Sequence, residues 1–212
     1  MYSDRKKQVV KHSIESDFSA NGKVISILNF LEKKLPEFPE KFAKNEDEDE
    51  WDLNEALFSF LEIYSRNFAF QFIPEYRYKS KSRPDFGIKE VKSNETGGYF
   101  YDQKAEHFFD IECKRLYHPT RSQKYVSGNT GGIQRFKENK HGVDLPYSAM
   151  IGYVEINDFN FWRNKVNSWI SNKEECLEEV VIQKIAKYKS THKRIDLSKP
   201  SIELFHFWLN IN

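Results

Sequence analysis

Residues His107 to Leu116 read His-Phe-Phe-Asp-Ile-Glu-Cys-Lys-Arg-Leu, an apolar strand that carries Glu112 and Lys114 two positions apart. Side chains alternate across a strand with period two. Phe109, Ile111 and Cys113 therefore take one face, and Asp110, Glu112 and Lys114 share the other. A carboxylate and an ammonium then project together from a strand that is otherwise core material, where charges are costly unless paired or metal-bound. Upstream, Ser82-Arg83-Pro84-Asp85-Phe86-Gly87-Ile88 brings a second acid to the start of a short apolar run, just after a proline that sets the chain direction. Two carboxylates of this kind suit Mg²⁺, which prefers oxygen ligands and keeps several waters. A lysine beside them can orient such a water and stabilise charge that develops during phosphoryl chemistry. The structural alternatives are a Glu112–Lys114 salt pair on an exposed edge strand and, for Asp110, a rim carboxylate paired with Lys or Arg.

The elements that must position these residues follow from periodicity. Apolar positions Val24, Ile25, Ile27, Leu28, Phe30 and Leu31 predict a helix over Asn21 to Leu35, ended by Pro36 and Pro39. The run Glu46-Asp47-Glu48-Asp49-Glu50 reads as a solvated connection. Leu53, Leu57, Phe60, Leu61 and Tyr64 predict an amphipathic helix from Trp51 to Asn67. Its acids Glu55 and Glu62 lie on one face, and Asp52 with Glu55 also fits a capping box with Asp52 at the N-cap. Phe68 to Tyr78 alternates as a strand interrupted near Pro74, and Asn94-Glu95-Thr96-Gly97-Gly98 predicts a turn within an excursion from Phe86 to Ile111. Gly131-Gly132 opens and Gly142 closes a short helix. Ala149 to Ile156 reads as a buried strand, Phe159 to Ile170 and Glu174 to Tyr188 as helices, and Ile202 to Ile211 as a last aromatic-rich strand. Strands interleaved with helices predict an α/β fold with a central mixed β-sheet flanked by helices.

The order Pro84-Asp85, then Glu112-x-Lys114, resembles the PD-(D/E)xK nuclease superfamily, and the context from about Trp51 to Ile156 strengthens the resemblance. Gly131-Gly132-Ile133-Gln134-Arg135-Phe136-Lys137 through His141-Gly142, and then Ser148 to Tyr153, also look like small bacterial members of that superfamily. The resemblance implies a restriction-endonuclease-like core and a Mg²⁺-dependent endonuclease that cleaves DNA, with Mn²⁺ as a substitute ion. It implies catalytic roles for Asp85, Glu112 and Lys114, with Asp85, Glu112 and the backbone carbonyl of Cys113 as metal ligands. Many members add an acid from the preceding helix, for which Glu55 stands nearest. It further implies DNA contacts from Gln134, Arg135, Lys137, Lys140 and Arg115, a setting in bacterial restriction or phage defence, and a homodimer as one way to cut both strands. The alternatives are a structure-specific or single-strand repair-type nuclease and a non-catalytic nucleic-acid-binding subunit that retains the fold. For Lys140 and His141, the bland role is cationic complementation of a helix C-terminus.

With 212 residues the chain has enough material for one substantial core. It reads as one domain: a helical N-terminal flank over 1–50, a catalytic core over 51–156, and C-terminal helices with a final strand over 157–212. Charged residues make up 31% and aromatics 16%, which excludes a disordered chain. The 33 Lys and Arg balance 32 Asp and Glu, so any basic footprint must be local. The cluster Lys184, Lys187, Lys189, His192, Lys193 and Arg194 reads as a solvated helix end. No apolar run is long enough to span a bilayer and no secretory h-region follows Met1, so a cytoplasmic location is expected. Cys113 and Cys176 fit neither a metal knuckle nor a disulfide framework. The six histidines form no zinc-site spacing, and neither a phosphate-cradling loop nor a nucleophile elbow is present.

Overall fold

The computed structural model describes residues 22–42, 48–76, 83–93, 99–100, 107–182 and 184–212. Helix α1 (Gly22–Lys34) buries Val24, Ile27, Leu28 and Leu31. It runs through a 3-10 turn containing Pro36 into the short α2 (Phe38–Lys41). Helix α3 (Glu50–Ser65) is capped by Asp49, whose side chain accepts from the amides of Trp51 and Asp52, while Asp52 accepts from the amide of Asp49. The capping box therefore sits three residues earlier than Asp52-x-x-Glu55 suggested.

Strands β1 (Phe70–Pro74) and β2 (Phe86–Glu90) pair antiparallel, and a two-stranded ladder of β3 (Lys92–Ser93) and β4 (Tyr99–Phe100) leads towards β5 (His107–Leu116). The expected turn at 94–98 and the far end of the expected strand at 77–78 lie outside the described residues. After β5 come a 3-10 turn (Arg121–Tyr125), α4 (Gly132–Lys137), β6 (Tyr147–Val154) and α5 (Phe159–Trp169). Strands β7 (Glu178–Ile182), β8 (Ile185–His192) and β9 (Ile202–Asn210) follow. The result is an α/β fold with a seven-stranded mixed sheet, order β1-β2-β5-β6-β9-β8-β7, flanked by helices. Strands β5, β6 and β9 are parallel neighbours, and the other pairings within the sheet are antiparallel.

One expected helix is corrected. Residues 174–188 do not form it; they hold the end of a 3-10 turn, β7 and half of β8. Val180, Val181, Ile182 and Ile185 are β-branched, and Ala186, Tyr188, Ser190 and His192 alternate inward, a period of two that suits a strand paired with β9. The segment 157–212 is thus one helix and three strands. The basic cluster is not a solvated helix end either. Lys187 is buried against Glu32 (2.5 Å), His192 is buried, and buried Arg194 donates to the carbonyls of Phe136, Gly142 and Leu145.

The sheet separates two cores. Helices α1 and α3 press onto Phe72, Phe86, Phe109, Ile111, Ile151 and Phe207. On the opposite face α4, α5 and Tyr125 pack on Leu116, Met150, Ala186, Tyr188, Leu204 and Trp208. Central parallel strands are covered on both sides and normally carry near-continuous apolar runs, as β6 and most of β9 do. Strand β5, third in the order, breaks that rule with Asp110, Glu112 and Lys114.

Candidate active site

Those three side chains share the face of β5 that Cys113 and Ile111 do not, as the alternation predicts, and all three are buried. The edge-strand alternative for the Glu112–Lys114 pair is therefore excluded, because β5 has β2 on one side and β6 on the other. Asp110 is not a rim carboxylate. It lies 2.5 Å from His107 Nε2 and accepts the amide of Gly142 at 2.6 Å. Gly142 turns the chain at φ +56°, a left-handed conformation that a Cβ would strain, and that turn aims its amide at Asp110.

The register Phe86↔Ile111, continued by one residue, sets Asp85 beside Glu112. Asp85 Oδ2 accepts the Cys113 amide at 2.7 Å. Lys114 Nζ lies 3.0 Å from Glu112 Oε1 and donates to the Cys113 carbonyl and to Glu50 Oε1, each at 2.8 Å. Glu50 Oε2 also accepts the Arg115 amide. Glu112 is flanked further by Arg135 (3.4 Å, Oε1) and His141 Nδ1 (3.1 Å, Oε2). His141 is thus a buried partner of the central acid, not a cation complementing a helix end.

Electrostatics follow from crowding acids in a desolvated place. Burial, then the charge of Glu112, pushes the Asp85 carboxyl well above the usual carboxylate range, although one side of it opens to a cleft. Burial also works to raise Glu112, but the Lys114 ammonium and His141 outweigh it and hold that acid low. For Lys114, burial favours the neutral form; the charges of Glu112, Asp85 and Glu50 overcome it and keep the ammonium protonated.

A cleft of about 500 Å³ opens over the site, with Glu50, Asp85 and Lys114 in its wall and Arg115, Arg121 and Lys124 beside them. Arg115 stacks on Tyr117 and forms a two-pronged pair with Glu155. The structure does not bring every expected residue here. Glu55 is exposed in an adjoining cavity that shares Asp85, and Glu62 is exposed. Gln134 donates to Glu138 and Lys137 pairs with Glu175, both turned to the far side of α4, while Lys140 pairs with Glu138 at the surface. Glu50, assigned from sequence to a solvated connection, is the helix acid that reaches the lysine. The signal was present in Asp49-x-x-Asp52, a second capping pattern that makes Glu50 the first helical residue.

Asp85, Glu112 and the Cys113 carbonyl offer only hard oxygen donors. Among the described residues no group of three or more His, Cys, Asp or Glu side chains is placed to hold a metal ion. Asp85 lines the cleft and Glu112 lies buried beside it, and carboxylate oxygens are the donor type that Mg²⁺ prefers. Glu112 Oε2 and both His141 ring nitrogens, all buried, lack an aligned hydrogen-bond partner. The oxygen donors of Asp85 and Glu112 are compatible with that ion, whereas the Cys113 carbonyl accepts from Lys114 Nζ and is not open to it. No protein-family model, curated protein or solved structure matches this chain.

Proposed function

We propose that this chain is a Mg²⁺-dependent nuclease of the PD-(D/E)xK kind, with a restriction-endonuclease-like core, which hydrolyses phosphodiester bonds of DNA. The observation that carries the reading is a cluster of opposed charges, Asp85, Glu112 and Lys114, at the centre of the sheet, of which Asp85 and Lys114 line a cleft bordered by Arg115, Arg121 and Lys124 while Glu112 is buried behind them. Structural ion pairs are usually found at surfaces, and a buried set facing a cleft is more readily explained by chemistry than by stability. A bound Mg²⁺ would supply an activated water and neutralise phosphoryl charge.

Asp85 and Glu112 would hold that ion. Lys114, kept protonated by three carboxylates, acts as a cation that steadies charge developing on the phosphoryl oxygens, and it is the wrong protonation state for a general base. Glu50 replaces Glu55 as the helix acid and fixes the lysine and the Arg115 amide. Arg121 and Lys124 are placed to take backbone phosphates, which position a strand without reading its sequence. The test is incubation with supercoiled, linear and single-stranded DNA, and with RNA, in EDTA, Mg²⁺ or Mn²⁺. DNA cleavage is expected with either metal, none in EDTA, and none for Glu112→Gln. A wild-type protein that cuts nothing, or a Glu112→Gln variant that cuts equally well, would overturn the proposal.

A further inference from the structure

Of the four tryptophans, Trp162 and Trp208 are fully buried and Trp169 is half-buried, but Trp51 in the first turn of α3 is 58% exposed. A single exposed aromatic needs no explanation by itself. Trp51, however, stands between two cavities, the active-site cleft of about 500 Å³ and a second of about 410 Å³, and both include Trp51, Asn54 and Asp85 in their walls. The linings differ sharply. The first cavity carries Lys114, Arg115, Arg121 and Lys124; among the described residues the second has no Lys or Arg in its wall and is lined by Phe58, Pro74 and Phe86, with Asp85, Glu55 and Glu75 as its carboxylates.

We propose that the second cavity receives a nucleobase turned out of the strand being cut, stacked on Trp51, with Glu55 accepting from the base's exocyclic amino group. This rests on the nuclease reading above. A phosphate at Asp85 has the basic cleft on one side and the aromatic cavity on the other. The Glu55 carboxylate repels a phosphate, whereas a flat uncharged ring with N–H donors satisfies both the apolar wall and that acid. Base-to-aromatic stacking is the usual device by which proteins hold unpaired strands, and a glutamate accepts well from an amino group such as cytosine N4. Glu75 is engaged by Arg83 at 3.0 Å. Glu55 has no hydrogen-bond or ion-pair partner among the described residues, which leaves it free to read the base. The substrate class is then a single-stranded or locally unpaired stretch that presents an amino-bearing base.

The experiment is binding in EDTA, so that it does not depend on cleavage. Short labelled homopolymers of dC and dT, and a dC strand with abasic sites, are titrated by fluorescence polarisation and tryptophan emission. Quenching of the exposed indole is expected, with dC bound more tightly than dT and the abasic strand weakest. Trp51→Ala should weaken dC binding roughly 5- to 150-fold, with Trp51→Phe recovering most of it, and Glu55→Gln should erase the preference for dC over dT. Equal binding by wild type and Trp51→Ala, or an unchanged Trp51→Ala effect on the abasic strand, overturns the stacking site. A dC preference that survives in Glu55→Gln overturns the role of Glu55. A wild-type protein that neither binds nor cleaves any strand defeats the nuclease reading as well. One that cleaves in Mg²⁺ at the same rate with Trp51→Ala defeats only this inference.

Discussion

Against one face of the sheet, α1 and α3 press a dry aromatic layer in which Phe30 meets Phe68, Phe70 and Phe72 at ring distances of 4.9 to 5.9 Å. Among the described residues its one buried charge is Lys187, which reaches Glu32. The other face holds Asp110, Glu112, Lys114, Ser190, His192 and His206, all buried. Beyond the candidate active site a chain of hydrogen bonds crosses that face. Trp208 Nε1 reaches Tyr125 Oη at 2.9 Å, Tyr125 Oη lies 2.8 Å from His206 Nδ1, and His206 Nε2 lies 2.7 Å from Ser190 Oγ. Ser190 Oγ is then 2.8 Å from His192 Nε2, and His192 Nδ1 is 3.3 Å from Glu175. An ionised Glu175 can only accept and burial disfavours the charged form of both imidazoles, so the direction of the chain is set from that end: His192 donates to Glu175, Ser190 to His192, His206 to Ser190, and Tyr125 to His206, while Tyr125 accepts from Trp208. His206 then carries its proton on Nε2 and His192 on Nδ1. The dry face derives its stability from apolar burial, which is indifferent to pH. The polar face depends on protonation states, and it holds the candidate site.

The sharpest way to separate the faces is Lys114→Ala. Cleavage should fall about 10²–10⁴-fold, and stability should fall too, because Glu112 loses its nearest cation. Adding Glu112→Gln should restore the unfolding midpoint without restoring cleavage; a double variant that regains activity would remove the site from this face. On the dry face, Phe30→Ala should cost about 3–5 kcal/mol in urea unfolding while the rate per folded molecule stays unchanged. A lost rate at full folding would show that the faces are not independent.

Acid should act on the polar face alone. Burial lowers His192 from 6.5 to about 4, the adjacent Glu175 opposing but not overcoming it, and burial also lowers His206, with His192 adding to the effect. A depressed folded value means that the native state binds fewer protons than the unfolded one, so this stability is present above about pH 6.5 and is lost as pH falls towards about 4. For His192 alone the loss is about 3 kcal/mol. Unfolding midpoints of Phe30→Ala should parallel the wild type across that window, and those of His192→Gln should lose the His192 contribution and fall less on acidification than the wild type. Parallel curves for all three would break the comparison. Smaller effects are expected where α3 approaches the site. Glu50→Gln should reduce cleavage about 10–100-fold, as loss of a positioning carboxylate does, and exposed Glu62→Gln should change stability by less than about 0.5 kcal/mol. Equal cleavage rates in the two variants would return Glu50 to the solvated loop.

Much of the fold was legible because periodicity is local. Val24 to Leu31, Leu53 to Leu61 and Phe159 to Val166 repeat at helical spacing, and β5, β6 and β9 are apolar runs of strand length. The segment 174–188 was not legible. Glu174, Glu175, Glu178 and Glu179 favour a helix in isolation, and only pairing with β9 overrides them. Glu50 was hidden by two overlapping capping patterns, Asp49-x-x-Asp52 and Asp52-x-x-Glu55, that are equally good as sequence. Gln134 and Lys137 were expected to face the substrate because α4 follows β5, yet adjacency in sequence does not say which side of a six-residue helix faces the cleft.

What the sequence by itself determined is the arrangement of side chains along each element. Alternation on β5 places Asp110, Glu112 and Lys114 together, and Pro84 before Asp85 starts β2 with an acid, because strand geometry has a period of two whatever lies around it. What only the tertiary structure decided is which elements meet. The antiparallel register of β2 on β5 brings Asp85 beside Glu112, the start of α3 delivers Glu50 to Lys114, and the left-handed turn at Gly142 seats His141 against Glu112. These partners are separated by tens of residues, and their encounter depends on burying two apolar faces of one sheet at once, a global condition that no local pattern encodes.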